Sequence, residues 1–166
     1  EILSGIYDSI VLRDVALRGG ITQIDILFKI VTFLLDNIGH PISSPKLSAY
    51  FKSQHQNIKP DTINRYLQLL EDAFIFYKAP RYDIRGKEYL KTLGKYYVVD
   101  LGLKNMALGR KNTNLGAMVE NVVYLELIRR GYRVFVGKYD DREIDFVAFK
   151  EEETLYVQVM LRFPKH

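Results

Sequence analysis

The sequence predicts a mixed α and β chain in two parts, a helical first half and a second half built on a small mixed sheet. Three observations predict it. Apolar residues recur at helical spacing through most of residues 2–74. Two aromatic and β-branched runs, Phe74–Lys78 and Tyr96–Val99, then flank a turn-forming stretch with Gly86 in it. After one more helix, three short segments read as strands: Tyr132–Val136, Glu143–Phe149 and Leu155–Met160.

Four helices are expected in the first half. Residues 2–18 place Ile2, Ile6, Ile10 and Leu17 near one face, and Gly19-Gly20 ends the segment. Thr22 suits an N-cap, with Asp25 in the first turn of a helix carrying Ile24, Leu27, Phe28, Val31, Leu34, Leu35 and Ile38. Gly39 stops it. Ser44-Pro45 starts a short third helix with Leu47, Tyr50 and Phe51 inward. Lys59-Pro60 opens the fourth, lined by Ile63, Tyr66, Leu67, Leu70 and Phe74.

Three helices followed by a two-stranded hairpin match the plan of a winged helix-turn-helix. In that plan one helix enters the major groove and the wing touches phosphates. Arg65 and Gln68 are then candidates for contacts to bases or phosphates, and Arg81, Arg85 and Lys87 for phosphate contacts. Asp61 and Asp72 share the outward helical face and oppose such binding. From Lys78 to Lys111 nine basic residues stand against three acids, an excess larger than the +4 of the whole chain. A basic stripe of this kind suits a phosphate-facing surface, or simply a solvated face.

In the second half a helix is expected from about Gly116 to Arg130, closed by Gly131. Its two acids differ. Glu126 precedes Arg129 and Arg130 by three and four residues, the spacing of a surface ion pair. Glu120 has Val123, Tyr124 and Leu127 at the equivalent positions, so its carboxylate needs a partner from elsewhere, or a metal. Asp145 stands in mid-strand, against propensity. A helix with one acid, then a strand with Asp145, then a strand with Gln158 resembles the order of elements in a PD-(D/E)xK nuclease site. Glu120, Asp145 and the Gln158 amide are the candidate catalytic set, and Glu120 and Asp145 the candidate Mg²⁺ ligands. The usual acid-x-lysine is replaced by Gln158-x-Met160, which argues for a degenerate site. The competing reading makes Glu120 and Asp145 buried polar anchors.

Composition sets outer bounds. The chain has 166 residues, 48% hydrophobic and 27% charged, which suits a soluble globular protein. No apolar run approaches the roughly 20 residues of a membrane span, and no secretory signal is visible. There is no cysteine, hence no disulfide and no thiolate metal site, and a cytoplasmic location is expected. The chain starts at Glu1 inside an amphipathic segment, so it reads as part of a longer protein. It contains no G-x-x-x-x-G-K-[ST] phosphate loop.

Several phrases occur together in order: Ile10–Val15, Leu34–Gly39, Tyr66–Phe74, Pro80–Lys87, Tyr97–Leu103, Glu120–Leu127, Glu143–Val147 and Tyr156–Val159. With them the whole chain resembles the C-terminal region of a prokaryotic family of AAA-type ATPases. The resemblance implies an upstream ATP-binding module, then a winged helix, then a restriction-endonuclease-like domain. It divides the chain into a linker helix (1–20), a winged helix-turn-helix (21–100) and a truncated nuclease-like domain (101–166). The function it implies is an accessory region of the ATPase that binds DNA, with ATP held only upstream. An active Mg²⁺-dependent nuclease and a protein-interaction module regulating the ATPase are the alternatives.

Overall fold

The computed structural model describes residues 12–108 and 114–161, so the first ten positions of the expected helix 2–18 lie outside it. It is a mixed α/β structure in which the chain divides into two compact units. One comprises Glu1–Asn37, Ile42–Tyr77 and Val98–Asn112; the other comprises Ile38–Pro41, Lys78–Tyr97 and Thr113–His166.

The first unit is helical. Helix α1 spans Leu12–Arg18, α2 Ile24–Asp36, α3 Ser44–Ser53, α4 Pro60–Asp72 and α5 Leu101–Leu108. Leu27, Ile30, Leu34, Leu47, Ile63 and Leu70 are fully buried, as the helical spacing requires. Ser43 caps α3 by accepting the Lys46 amide at 3.3 Å, and Pro45 sits in its first turn. Two expectations fail locally. The cap of α2 is Gln23 rather than Thr22, and it makes no side-chain cap bond. Phe74 is 67% exposed rather than inward, because α4 stops at Asp72 and Phe74 takes a left-handed φ of 55°.

The second unit carries the sheet and helix α6, Leu115–Arg129. The strands are β1 (Pro41–Ile42), β2 (Phe76–Asp83), β3 (Glu88–Val98), β4 (Arg133–Tyr139), β5 (Arg142–Lys150) and β6 (Glu153–Val157). Their order is β1-β3-β2-β4-β5-β6, with β2 parallel to β4 and β4-β5-β6 antiparallel. The hairpin expected as a wing of the helical domain is therefore no free wing. Its stretch Lys78–Tyr97 belongs to the second unit, where β2 is flanked on both sides. The compact units group the chain differently from a division at residue 100, with Val98–Asn112 in the helical unit. The physical reason is hydrogen bonding: strand edges rich in aromatic and β-branched residues gain a second ladder by pairing with β4.

Two aromatic clusters pack in this unit. Tyr82, Tyr89, Phe135 and Phe149 form one, with ring centroids 5.0–6.1 Å apart. Tyr97, Tyr124 and Phe146 form the other, Tyr97 stacked on Tyr124 at 4.3 Å. Phe146 and Phe149 lie three apart on β5, so strand alternation assigns the clusters to opposite faces. The last strand is shorter than expected. The β5–β6 ladder ends at Phe146–Val157, leaving Gln158 and Met160 beyond it.

Candidate functional site: a buried lysine between two acids

The polar centre of the second unit is built from both ends of its sequence. Lys95 and Tyr97 lie two apart on β3, so they share a face. Leu93 takes a left-handed φ of 61° and bends β3 just ahead of them. Glu143 and Asp145 lie on β5, whose pairing with β4 slips by one residue between Phe135–Val147 and Gly137–Ile144. Glu120 comes from the middle of α6.

These side chains interlock. The Lys95 ammonium, 4% exposed, donates to Glu120 Oε1 at 3.1 Å and lies 2.7 Å from Glu143 Oε1. The Tyr97 hydroxyl donates to the same Glu120 oxygen at 2.6 Å. Gly39 closes the site from the segment after α2. It has φ +75°, and a Cβ there would stand 3.2 Å from Glu120 Oε1. The Glu120 carboxylate thus packs against backbone that only glycine leaves open.

Titration behaviour follows from this packing. Burial by itself would lower the Lys95 pKa. The hydrogen bond to Glu143 and the charges of Glu120 and Glu143 outweigh it and hold the pKa above its ordinary value. Burial raises the Tyr97 hydroxyl far above its usual range, and the charges of Glu120 and then Asp145 add to that. Both predicted acids therefore act on one hydroxyl.

Asp145 is held differently. Its Oδ2 accepts the Gln158 amide at 2.7 Å and the Val159 backbone N–H at 2.7 Å. This explains where β6 stops: the Val159 amide donates to a side chain rather than to a strand. Gln158 meets Asp145 through its NH₂, so it acts as donor rather than ligand.

The donors as arranged do not fit a divalent cation. The oxygen of Glu120 nearest the centre already takes an ammonium and a hydroxyl, and Asp145 Oδ2 takes two N–H groups. Among the described residues no cluster of three or more His, Cys, Asp or Glu is able to hold a metal. Met160, at the position where a lysine was expected, is 65% exposed and lies outside the strand. The cation of the site comes instead from Lys95, which the sequence reading counted only as one of a basic stripe. Its setting, a lone lysine against Tyr96-Tyr97-Val98-Val99, was the available signal.

The predicted nucleic-acid contacts fall in both units. Arg65 and Gln68 sit on α4 in the helical unit, while Arg81, Arg85 and Lys87 belong to the other. The Arg65 guanidinium donates to the Gly19 carbonyl, and Gln68 to Asp72 at 2.9 Å. Arg85 pairs with Asp140 at 2.7 Å. Arg81 is half-buried within β2, and its Nε has no hydrogen-bond partner among the described residues. Lys87 is exposed in the turn, with φ 52°. The stripe itself is dispersed, since Lys95 and Lys104 are buried.

A family profile described as a domain of unknown function, DUF8612, matches residues 1–114. The chain belongs to the DUF8612 family. That match takes in Lys95 and Tyr97 and ends before Glu120, so the site extends past the C-terminal limit of the DUF8612 profile. A Haemophilus influenzae protein described as uncharacterized is 51% identical over 165 residues, covering 99% of this chain and 41% of the relative. The uncharacterized protein MJ1544 of Methanocaldococcus jannaschii is 31% identical over 159 residues, covering 93% of this chain and 35% of the relative. The chain thus spans about two fifths or less of the length of these curated relatives. No solved structure matches it.

Proposed function

We propose that this chain is a nuclease-like region that binds nucleic acid without cutting it, as an accessory part of an AAA-type ATPase. The observation that carries the non-hydrolytic half of this reading is Lys95. Its ammonium bridges Glu120 and Glu143, where a hydrolytic site of this kind would present carboxylates to a divalent cation. The Gln158 and Val159 donors on Asp145 support the same view. The ATPase context rests on the sequence resemblance, and the greater length of the relatives leaves room for such a module. Winged helix-turn-helix character is proposed for the α3–α4 pair alone, because the hairpin sits within the sheet.

Duplex DNA binding, followed by fluorescence anisotropy, tests the reading. Affinity measurable at low salt should fall steeply as salt rises, as phosphate contacts release counterions. It should weaken further in Arg85→Ala with Lys87→Ala, while plasmid stays intact in Mg²⁺ or Mn²⁺. Cleavage by the wild type that Asp145→Ala abolishes would overturn the non-hydrolytic half. No affinity at low salt would overturn DNA binding. It would favour a protein-interaction module, a reading supported by the burial of Lys95 and Lys104 and the pairing of Arg85 with Asp140.

A further inference from the structure

We infer that the face of the sheet turned away from α6 is a stacking surface for single-stranded nucleic acid. This rests on the nucleic-acid reading above and names both the form bound and the place. Strand register builds the face. Arg133, Phe149 and Thr154 stand opposite one another on β4, β5 and β6, and Phe135, Val147 and Tyr156 form the adjoining row. Directly opposed residues share a face, and so do residues two apart along a strand. Ring contacts join Tyr82 of β2 and Tyr89 of β3 to Phe135, and Tyr82 to Phe149. Aromatic side chains from five neighbouring strands therefore lie on one surface.

The two faces differ in cover and in chemistry. On the α6 side Tyr97, Tyr124 and Phe146 are fully buried. On the other side Tyr89 and Tyr156 are 57% and 59% exposed, and Tyr82, Phe135 and Phe149 are half-buried. The two rows hold one aliphatic residue, Val147, and it is fully buried. What they show to solvent is ring, guanidinium and hydroxyl, and neither row contains an acid. Arg133 is exposed beside Phe149, and Lys87 is exposed in the turn two residues before Tyr89. Open rings with cations at their margins suit unpaired bases on a phosphate backbone. Paired bases in a duplex already stack on one another and offer such rings only their edges, so this face selects single strands.

The test follows the anisotropy of a labelled oligothymidylate and of a labelled duplex with wild type, Tyr89→Ala, Tyr156→Ala, Tyr89→Phe and Arg133→Ala. Wild type should bind the single strand, and part of that affinity should survive high salt, because stacking releases no counterions. Tyr89→Ala and Tyr156→Ala should each weaken it roughly tenfold and leave duplex affinity unchanged. Tyr89→Phe keeps the ring and should bind as wild type does. Arg133→Ala should weaken binding and flatten its salt dependence. A wild type that binds duplex but not oligothymidylate overturns this proposal and leaves the earlier reading standing, whereas no affinity for either overturns both. Single-strand affinity indifferent to both alanine variants also overturns it, as do equal losses on duplex and single strand. Self-association in ultracentrifugation that Tyr89→Ala abolishes, with no oligonucleotide bound, would make the face a protein contact instead. If Tyr89→Ala fails to fold, Tyr156→Ala decides alone.

Discussion

Glu120 and Glu126 stand on the same helix, six positions apart, and they are held in opposite ways. Glu126 finds both its partners within one turn: Arg129 at 2.7 Å and Arg130 at 2.8 Å. Hydrogen bonds from these guanidiniums hold its pKa down to about 2. Glu120 finds none locally. Its cation and its hydroxyl arrive from β3, and a glycine from a third segment covers it. The Glu126 pair is solvated, so most of its attraction is screened. The Glu120 pair is shielded, so each member depends on the other to offset its lost hydration.

The largest test of that contrast removes the shared cation. Lys95→Met should destabilise the fold by about 3–5 kcal/mol in urea denaturation without added metal, because two acids lose their compensating charge. Its dependence on pH has a definite sign. The Lys95 pKa lies above its ordinary value of 10.5 in the folded state, so folding favours the protonated form. That contribution is complete below the ordinary value and is lost as pH rises through the higher folded one. The gap between wild type and Lys95→Met should therefore hold at neutral pH and narrow above pH 10.5. A constant gap through that range would mean that packing, rather than charge, is lost.

Gly39→Ala is expected to act at one remove. The added methyl needs a left-handed backbone and crowds Glu120 Oε1 from 3.2 Å, which together should cost about 1–2 kcal/mol. Combined with Glu120→Ala, most of the crowding share should vanish in a double-mutant cycle. Additive effects would detach Gly39 from the site. The smallest effect belongs to Glu126→Gln, whose denaturation midpoint should stay within measurement scatter of wild type. A loss comparable to that of Lys95→Met would erase the distinction between the two glutamates.

The same contrast shows what a sequence discloses. The Glu126 pair was legible because helical spacing alone brings i, i+3 and i+4 together. That Glu120 lacked such partners was equally legible, and so was the need for something distant. Which residue would answer was not, because the path of β3 depends on sheet pairing and on the bend at Leu93. Nothing local marked Glu143 as a partner of Lys95. The end of β6 was misjudged for a related reason. Propensity favours extending the strand through Met160, while the Asp145 side chain captures the amide at Val159. The helical half was the more readable because its contacts follow local periodicity.

The parallel pairing of β2 with β4 has a consequence for biosynthesis. Strand β2 leaves the ribosome well before β4, since β3, α5 and α6 must all be translated between them. Until then one flank of β2 lacks its neighbour, and its amides and carbonyls can pair with another nascent chain. Assembly of this sheet is thus a late, long-range event, and the interval before it is when the protein is most exposed to aggregation and most in need of chaperones.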